Sequence, residues 1–121
     1  MTTQRRRRAG VSRPALHDGE QEVETYRANR SQGSRAVGGH LLLTDRRVLF
    51  WPHRLDGSTG GKSWECDLVS ITCVGVAERG NNPFNGSMRR RLMIECDGAT
   101  ECFVVNAAES VARVLRAAAG C

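Results

Sequence analysis

Aromatic residues are scarce in this chain, at 5% of 121 positions, so a core must be built chiefly from Val, Leu and Ile. Long apolar runs are missing as well. No window approaches the roughly 18 to 20 apolar residues of a membrane-spanning helix, and no transmembrane segment is expected. Arginines stand near the N-terminus without the apolar stretch that follows them in a secretory signal. A cytoplasmic protein is the default expectation, with peripheral membrane attachment as a variant of it. The cysteines, Cys66, Cys73, Cys96, Cys102 and Cys121, are odd in number and show no C-x-x-C spacing. A disulfide framework more often has an even set in a shorter secreted chain, and zinc needs paired ligands. The expectation is reduced cysteines, four of them alternating with apolar residues as small hydrophobes, and no metal.

The net charge of +5 is unevenly placed. Arg5, Arg6, Arg7, Arg8 and Arg13 fall in the first 13 positions, which hold no acid; the remaining 108 residues carry 13 basic and 13 acidic side chains. The body is therefore no nucleic-acid surface by bulk charge. Residues 1–14 lack periodicity and read as a disordered basic tail, and residues 15–121 as one domain of modest core.

Within that domain, apolar alternation marks strands. Residues 20–31 form a first, edge-like strand, and 32–34 a turn. Residues 35–43 alternate with Val37, Gly39, Leu41 and Leu43 on one face; Gly38 and Gly39 suggest a bulge or a sharp bend. After the polar knot Thr44-Asp45-Arg46-Arg47, residues 48–51 restart the pattern and Pro52 stops it. A glycine-rich loop over 54–61 leads to strands at 62–67 and 71–77, the latter with Ile71, Cys73 and Gly75 alternating against Thr72, Val74 and Val76. A second loop, 80–87, precedes strands at 91–96 and 100–105 joined by Asp97-Gly98, a strong two-residue hairpin signal. The period then changes. Asn106 and Glu109 have capping-box spacing, Val111, Val114, Leu115 and Ala118 follow at helical spacing, and Gly120 is a stop, which predicts a helix near 107–118. The fold class is mainly β: a strongly bent seven-strand antiparallel sheet or partly open barrel capped by one C-terminal helix.

This order resembles the pleckstrin-homology superfold, and the hairpin is similar to the signature of the GRAM domains, G-x-L-x-L-T-[ND]-x-R-[LV]-x-F. Gly39, Leu41, Leu43, Thr44, Asp45, Arg47, Val48 and Phe50 meet it. Gly19-Glu20, the WECDLVSI segment with Trp64, Cys66, Leu68 and Ile71, and Phe103 extend the likeness across residues 16–118. Each motif residue has a structural task. Leu41, Leu43, Val48 and Phe50 suit one core face, while Thr44 and Asp45 can bond the turn backbone. The motif thus speaks for the fold, and function must be argued from a site.

No Ser/His/Asp or Cys/His set, paired-carboxylate spacing or phosphate-cradling glycine motif is present, so no enzyme and no cofactor are expected. The resemblance implies a headgroup site on the first hairpin and the loop after the third strand. By position its residues are Arg30, Arg35, His53, Arg54 and Lys62, with Arg27 beside them. The lysine pattern of the pleckstrin-homology headgroup motif is absent, and Glu20, Glu22 and Glu24 offset the field. Arg5 to Arg8 can touch anionic lipid or other polyanions at ~1 kcal/mol each. Arg89, Arg90 and Arg91, with Phe84 in the loop before them, are a second candidate contact. The leading reading is a small binding module for an anionic membrane surface, lipid headgroup or protein partner. A pure protein-interaction or self-association domain, and a nucleic-acid accessory acting through the arginine tail, are the alternatives.

Overall fold

The computed structural model describes residues 13–33, 35–53, 60–77 and 90–121. Seven strands run in chain order: β1 (Glu22–Gln32), β2 (Arg35–Thr44), β3 (Arg47–Pro52), β4 (Trp64–Asp67), β5 (Ile71–Ala77), β6 (Arg91–Cys96) and β7 (Ala99–Val105). Among the described residues, a 3-10 turn, Leu68–Ser70, joins β4 to β5, and a helix, α1 (Ala108–Ala119), follows β7. The spatial order is β4-β3-β2-β1-β7-β6-β5, and each adjacent pair is antiparallel. The sheet stays open, as the fold-class expectation has it. No described helix is long and apolar enough to cross a membrane.

The long strand β1 joins two halves. It pairs with β2 along its length but with β7 only at Ala28, Asn29 and Arg30. The sheet therefore splays where β7 leaves for α1, and Glu22 to Arg27 are paired on one side only among the described residues. The helix covers the other half, with Val111, Ala112 and Leu115 buried. It also guards the β5 edge, because Arg116 Nη1 donates to the Val74 carbonyl at 2.8 Å. An edge carbonyl bonded this way is removed from intermolecular pairing.

The core lies between the halves. Leu41, Leu43, Val48 and Phe50 share it with Val37, Leu92, Ile94, Phe103 and Leu115, as the alternation requires. Phe103 packs against Phe50 and Trp64 at ring distances of 5.6 and 5.4 Å. Gly39 faces Pro52 across β2 and β3. A Cβ there would stand 2.2 Å from the Trp51 carbonyl oxygen, so the position admits no side chain. No bulge occurs at Gly38 and Gly39, where the register is continuous; the irregularities fall between Glu22 and Glu24 in β1 and between Ile71 and Cys73 in β5.

Four sequence expectations are corrected. The β5 bulge shifts the phase of that strand, burying Ile71 and Val74 and leaving Cys73 exposed rather than in the core. Cys66 and Cys96 are joined in a disulfide across the seam between the sheet halves, with Cα atoms 6.5 Å apart, where reduced cysteines were expected. Asn106 does not cap the helix. Ala107, in the left-handed region at φ 54°, occupies that position with no side-chain cap, and Glu109 pairs with Arg90 instead. Finally, Ala112 takes the buried place on the helix, and Val114 faces solvent.

Candidate binding surfaces

The hairpin motif resolves into a buried polar network. Arg47 Nε and Nη2 donate to the two carboxylate oxygens of Glu20 at 2.8 and 3.0 Å. Thr44 Oγ1 donates to Glu20 Oε2 at 2.6 Å and accepts from the backbone N–H groups of Arg46 and Arg47. The Arg47 fork also reaches the Ala15 carbonyl at 3.1 Å, and His17 N–H donates to Glu20 at 2.8 Å. Asp45 accepts from Gln21 N–H at 2.9 Å. These bonds tie the segment before β1 to the β2–β3 turn. The Arg47 bonds, ahead of those from Thr44 and His17, hold the Glu20 carboxyl at about 2. Both partners are buried and fully committed, so the network is structural.

Near the β1–β2 turn lies the first candidate surface. Gln32 is the clamp that assembles it: its amide donates to the Gly60 carbonyl at 2.9 Å, and its side-chain oxygen accepts from Lys62 N–H at 3.0 Å. The β1–β2 turn and the end of the β3–β4 connection are thereby held together, with Arg35 close to Gly60. Arg30 is here too, but its charge is matched. Its Nε donates to Glu101 of β7 at 2.9 Å, and Nη1 reaches the Lys62 carbonyl at 3.2 Å. Lys62 is exposed and Arg35 half-buried. Of the residues expected to gather, Arg30, Arg35 and Lys62 do so. His53 instead turns to the outer face of the sheet, and Arg54 lies outside the described residues.

Sequence reasoning missed that outer face. Leu42, Leu49 and Trp51 form a second apolar cluster there, with Leu16 packed on it. His40 stacks on Trp51 at 5.3 Å and meets His53 edge-on at 5.2 Å, while the Arg13 guanidinium lies 5.7 Å from the Trp51 ring. A signal was available. Leu41-Leu42-Leu43 and Val48-Leu49-Phe50-Trp51 are apolar on both phases of the alternation, the mark of a strand pair covered on both faces.

Of the second basic cluster, Arg90 pairs with Glu109 and Arg91 Nη1 donates to Ser31 Oγ at 3.0 Å. Arg89, Phe84 and Arg5 to Arg8 lie outside the described residues. No group of three or more His, Cys, Asp or Glu side chains is placed to hold a metal ion among the described residues.

No protein-family model matches this sequence, and no curated protein does either. Solved structures do match its shape. The C-terminal domain of an unknown protein from Leishmania infantum superposes with a TM-score of 0.65 at 11% identity, covering 86% of this chain and 88% of that one. The Vps36 N-terminal PH domain gives 0.63 at 13% identity, covering 88% and 84%. At such identities the likeness concerns architecture alone, and the architecture of this chain is pleckstrin-homology-like.

Proposed function

We propose that the chain is a small, non-enzymatic binding module of GRAM type that attaches peripherally to anionic membrane surfaces, led by its arginine-rich N-terminal segment. The observation that carries this reading is the partition of charge. All the net positive charge lies in the first 13 residues, and Arg30, a largely enclosed cation of the expected headgroup site, is matched by Glu101. A pocket with an enclosed cation already spent supports diffuse contact better than stereospecific headgroup capture. Arg35 and Lys62 then add to the tail as a secondary contact. Cosedimentation with vesicles containing phosphatidylserine tests this through Arg35→Ala and Lys62→Ala. Each should weaken binding only a few-fold, as expected for a single surface cation at ~1 kcal/mol. Loss of all binding, together with preference for one headgroup, would replace the tail by the pocket.

One observation favours a second reading, partner recognition by strand addition. The outward edge of β1 from Glu22 to Arg27 is unpaired among the described residues, a template for an extended peptide. Binding of a protein partner that Thr25→Pro abolishes, without any vesicle binding by the parent protein, would select it.

A further inference from the structure

The outer face of β1–β3 gathers groups of one charge around an unfinished hydrogen bond. Arg27 on β1 is the register partner of His40 on β2. His53, just past β3, closes on His40 from the side, and Arg13 arrives from the segment before β1. Of the carboxylates on this face, Glu22 is taken by Arg13 and by Thr25 Oγ1, and Glu65, the register partner of Leu49, by Arg47. Arg27 makes no ion pair among the described residues, and His40 Nδ1 is buried without a hydrogen-bond partner. Burial first, then His53, Arg27 and Arg13, push the His40 imidazole below its ordinary value. A buried polar atom with no partner is costly, and like charges this close repel. Both defects would be cured by one ligand.

We propose that Arg27, His40 and His53 form a binding site for a phosphate- or sulfate-type dianion on the outer face of β1–β3. The site lies apart from the Gln32-clamped surface and goes beyond the tail-led attachment proposed above. Arg27 offers a planar fork suited to tetrahedral oxyanions. Its side chain and that of His53 are exposed and able to close on the anion, while Trp51 braces the His40 ring. Protonated, His40 carries an Nδ1–H with no acceptor in the fold; the anion supplies that acceptor and neutralises the cluster. Anion binding and proton uptake by His40 are therefore coupled, and each must favour the other to the same degree. With Arg13 held by Glu22, the charged groups facing His40 are Arg13, Arg27 and His53, so no carboxylate competes for the proton.

The test is an NMR pH titration of the histidine side chains of the full chain, in sodium sulfate and in sodium chloride at matched ionic strength. Sulfate keeps its charge throughout, so any pH dependence belongs to the protein. Sulfate should move the His40 titration upward, and its affinity should fall about tenfold per pH unit above the His40 midpoint. Arg27→Gln should weaken sulfate at least tenfold while leaving the fold intact, and Arg35→Ala and Lys62→Ala should leave it unchanged. Those two variants separate this site from the proposed membrane contact. Vesicles of phosphatidylcholine with phosphatidic acid identify the source. A matching shift of His40 makes the ligand a lipid phosphate, and a shift with sulfate and inorganic phosphate alone makes it a free anion. An identical His40 titration in sulfate and chloride, or a sulfate shift lost in Arg35→Ala yet kept in Arg27→Gln, would overturn the proposal.

Discussion

Arg47 and Glu20 form the most enclosed ion pair among the described residues, and their behaviour with pH follows from the geometry. Glu20 is held at about 2 against an ordinary value of 4.5. Its stabilising contribution is fully present above pH 4.5 and is lost as pH falls through about 2. Thermal melts of the wild-type chain should therefore drop steeply over that acid window. Glu20→Gln should be destabilised by roughly 3 to 5 kcal/mol at neutral pH, since a buried guanidinium loses its partner, and its melts should be flatter below pH 4.5. Equal acid sensitivity in both proteins would remove the network from the account. Phe50 tests the core in the same way. It is fully buried against Phe103, and Phe50→Ala should cost ~3 to 5 kcal/mol in denaturant unfolding. Both residues were legible in the sequence as members of the hairpin motif. The partner of Arg47 was not, because Glu20 is 27 residues away and reads as one more surface acid.

Among the elements, hairpins were easier to read than phases and cross-links. Asp97-Gly98 placed β6 and β7 within a residue, since both positions need positive φ and have it. The β5 bulge left no local mark, so the alternation was carried one residue too far and Cys73 was assigned to the core. The disulfide escaped for a related reason. Cys66 and Cys96 are 30 residues apart and meet only because the sheet bends until β4 and β6 come within reach of each other. A loop of that length makes the bond worth roughly 3 to 4 kcal/mol by the chain-entropy argument. Cys66→Ser, or reduction of the wild type, should lower denaturant stability by about that amount. Melts unchanged by reductant would show that the seam holds without the bond. At the helix start, Ala107 occupies a left-handed conformation that disfavours a side chain. Ala107→Gly should raise stability by roughly 0.5 to 1 kcal/mol, the relief of strain exceeding the added chain entropy.

At the scale of the whole molecule, one open sheet presents, among the described residues, two distinct basic regions on a body whose formal charges sum to zero. One lies at the Gln32-clamped turn, with Arg35 and Lys62; the other lies on the outer face, with Arg27, His40 and His53. Position along the chain could nominate the first, because hairpin loops converge in a bent sheet. It could not separate His53 from Arg30, since which face a residue takes depends on where β3 ends. Nor could it show that Glu101 matches Arg30 from a strand 71 residues on. Those two facts shift the weight of the proposed membrane attachment from a pocket to the N-terminal arginines. The decisive measurement is cosedimentation of the full-length chain and of a chain beginning at Pro14 with phosphatidylcholine vesicles, with and without phosphatidylserine, as salt is raised. The account predicts binding of the full-length chain to the anionic vesicles alone, weakening steeply with salt because exposed contacts are screened. It also predicts loss of most of that binding once the arginines are removed. Undiminished, headgroup-selective binding by the shortened chain, or no anionic binding by the full-length one, would contradict it.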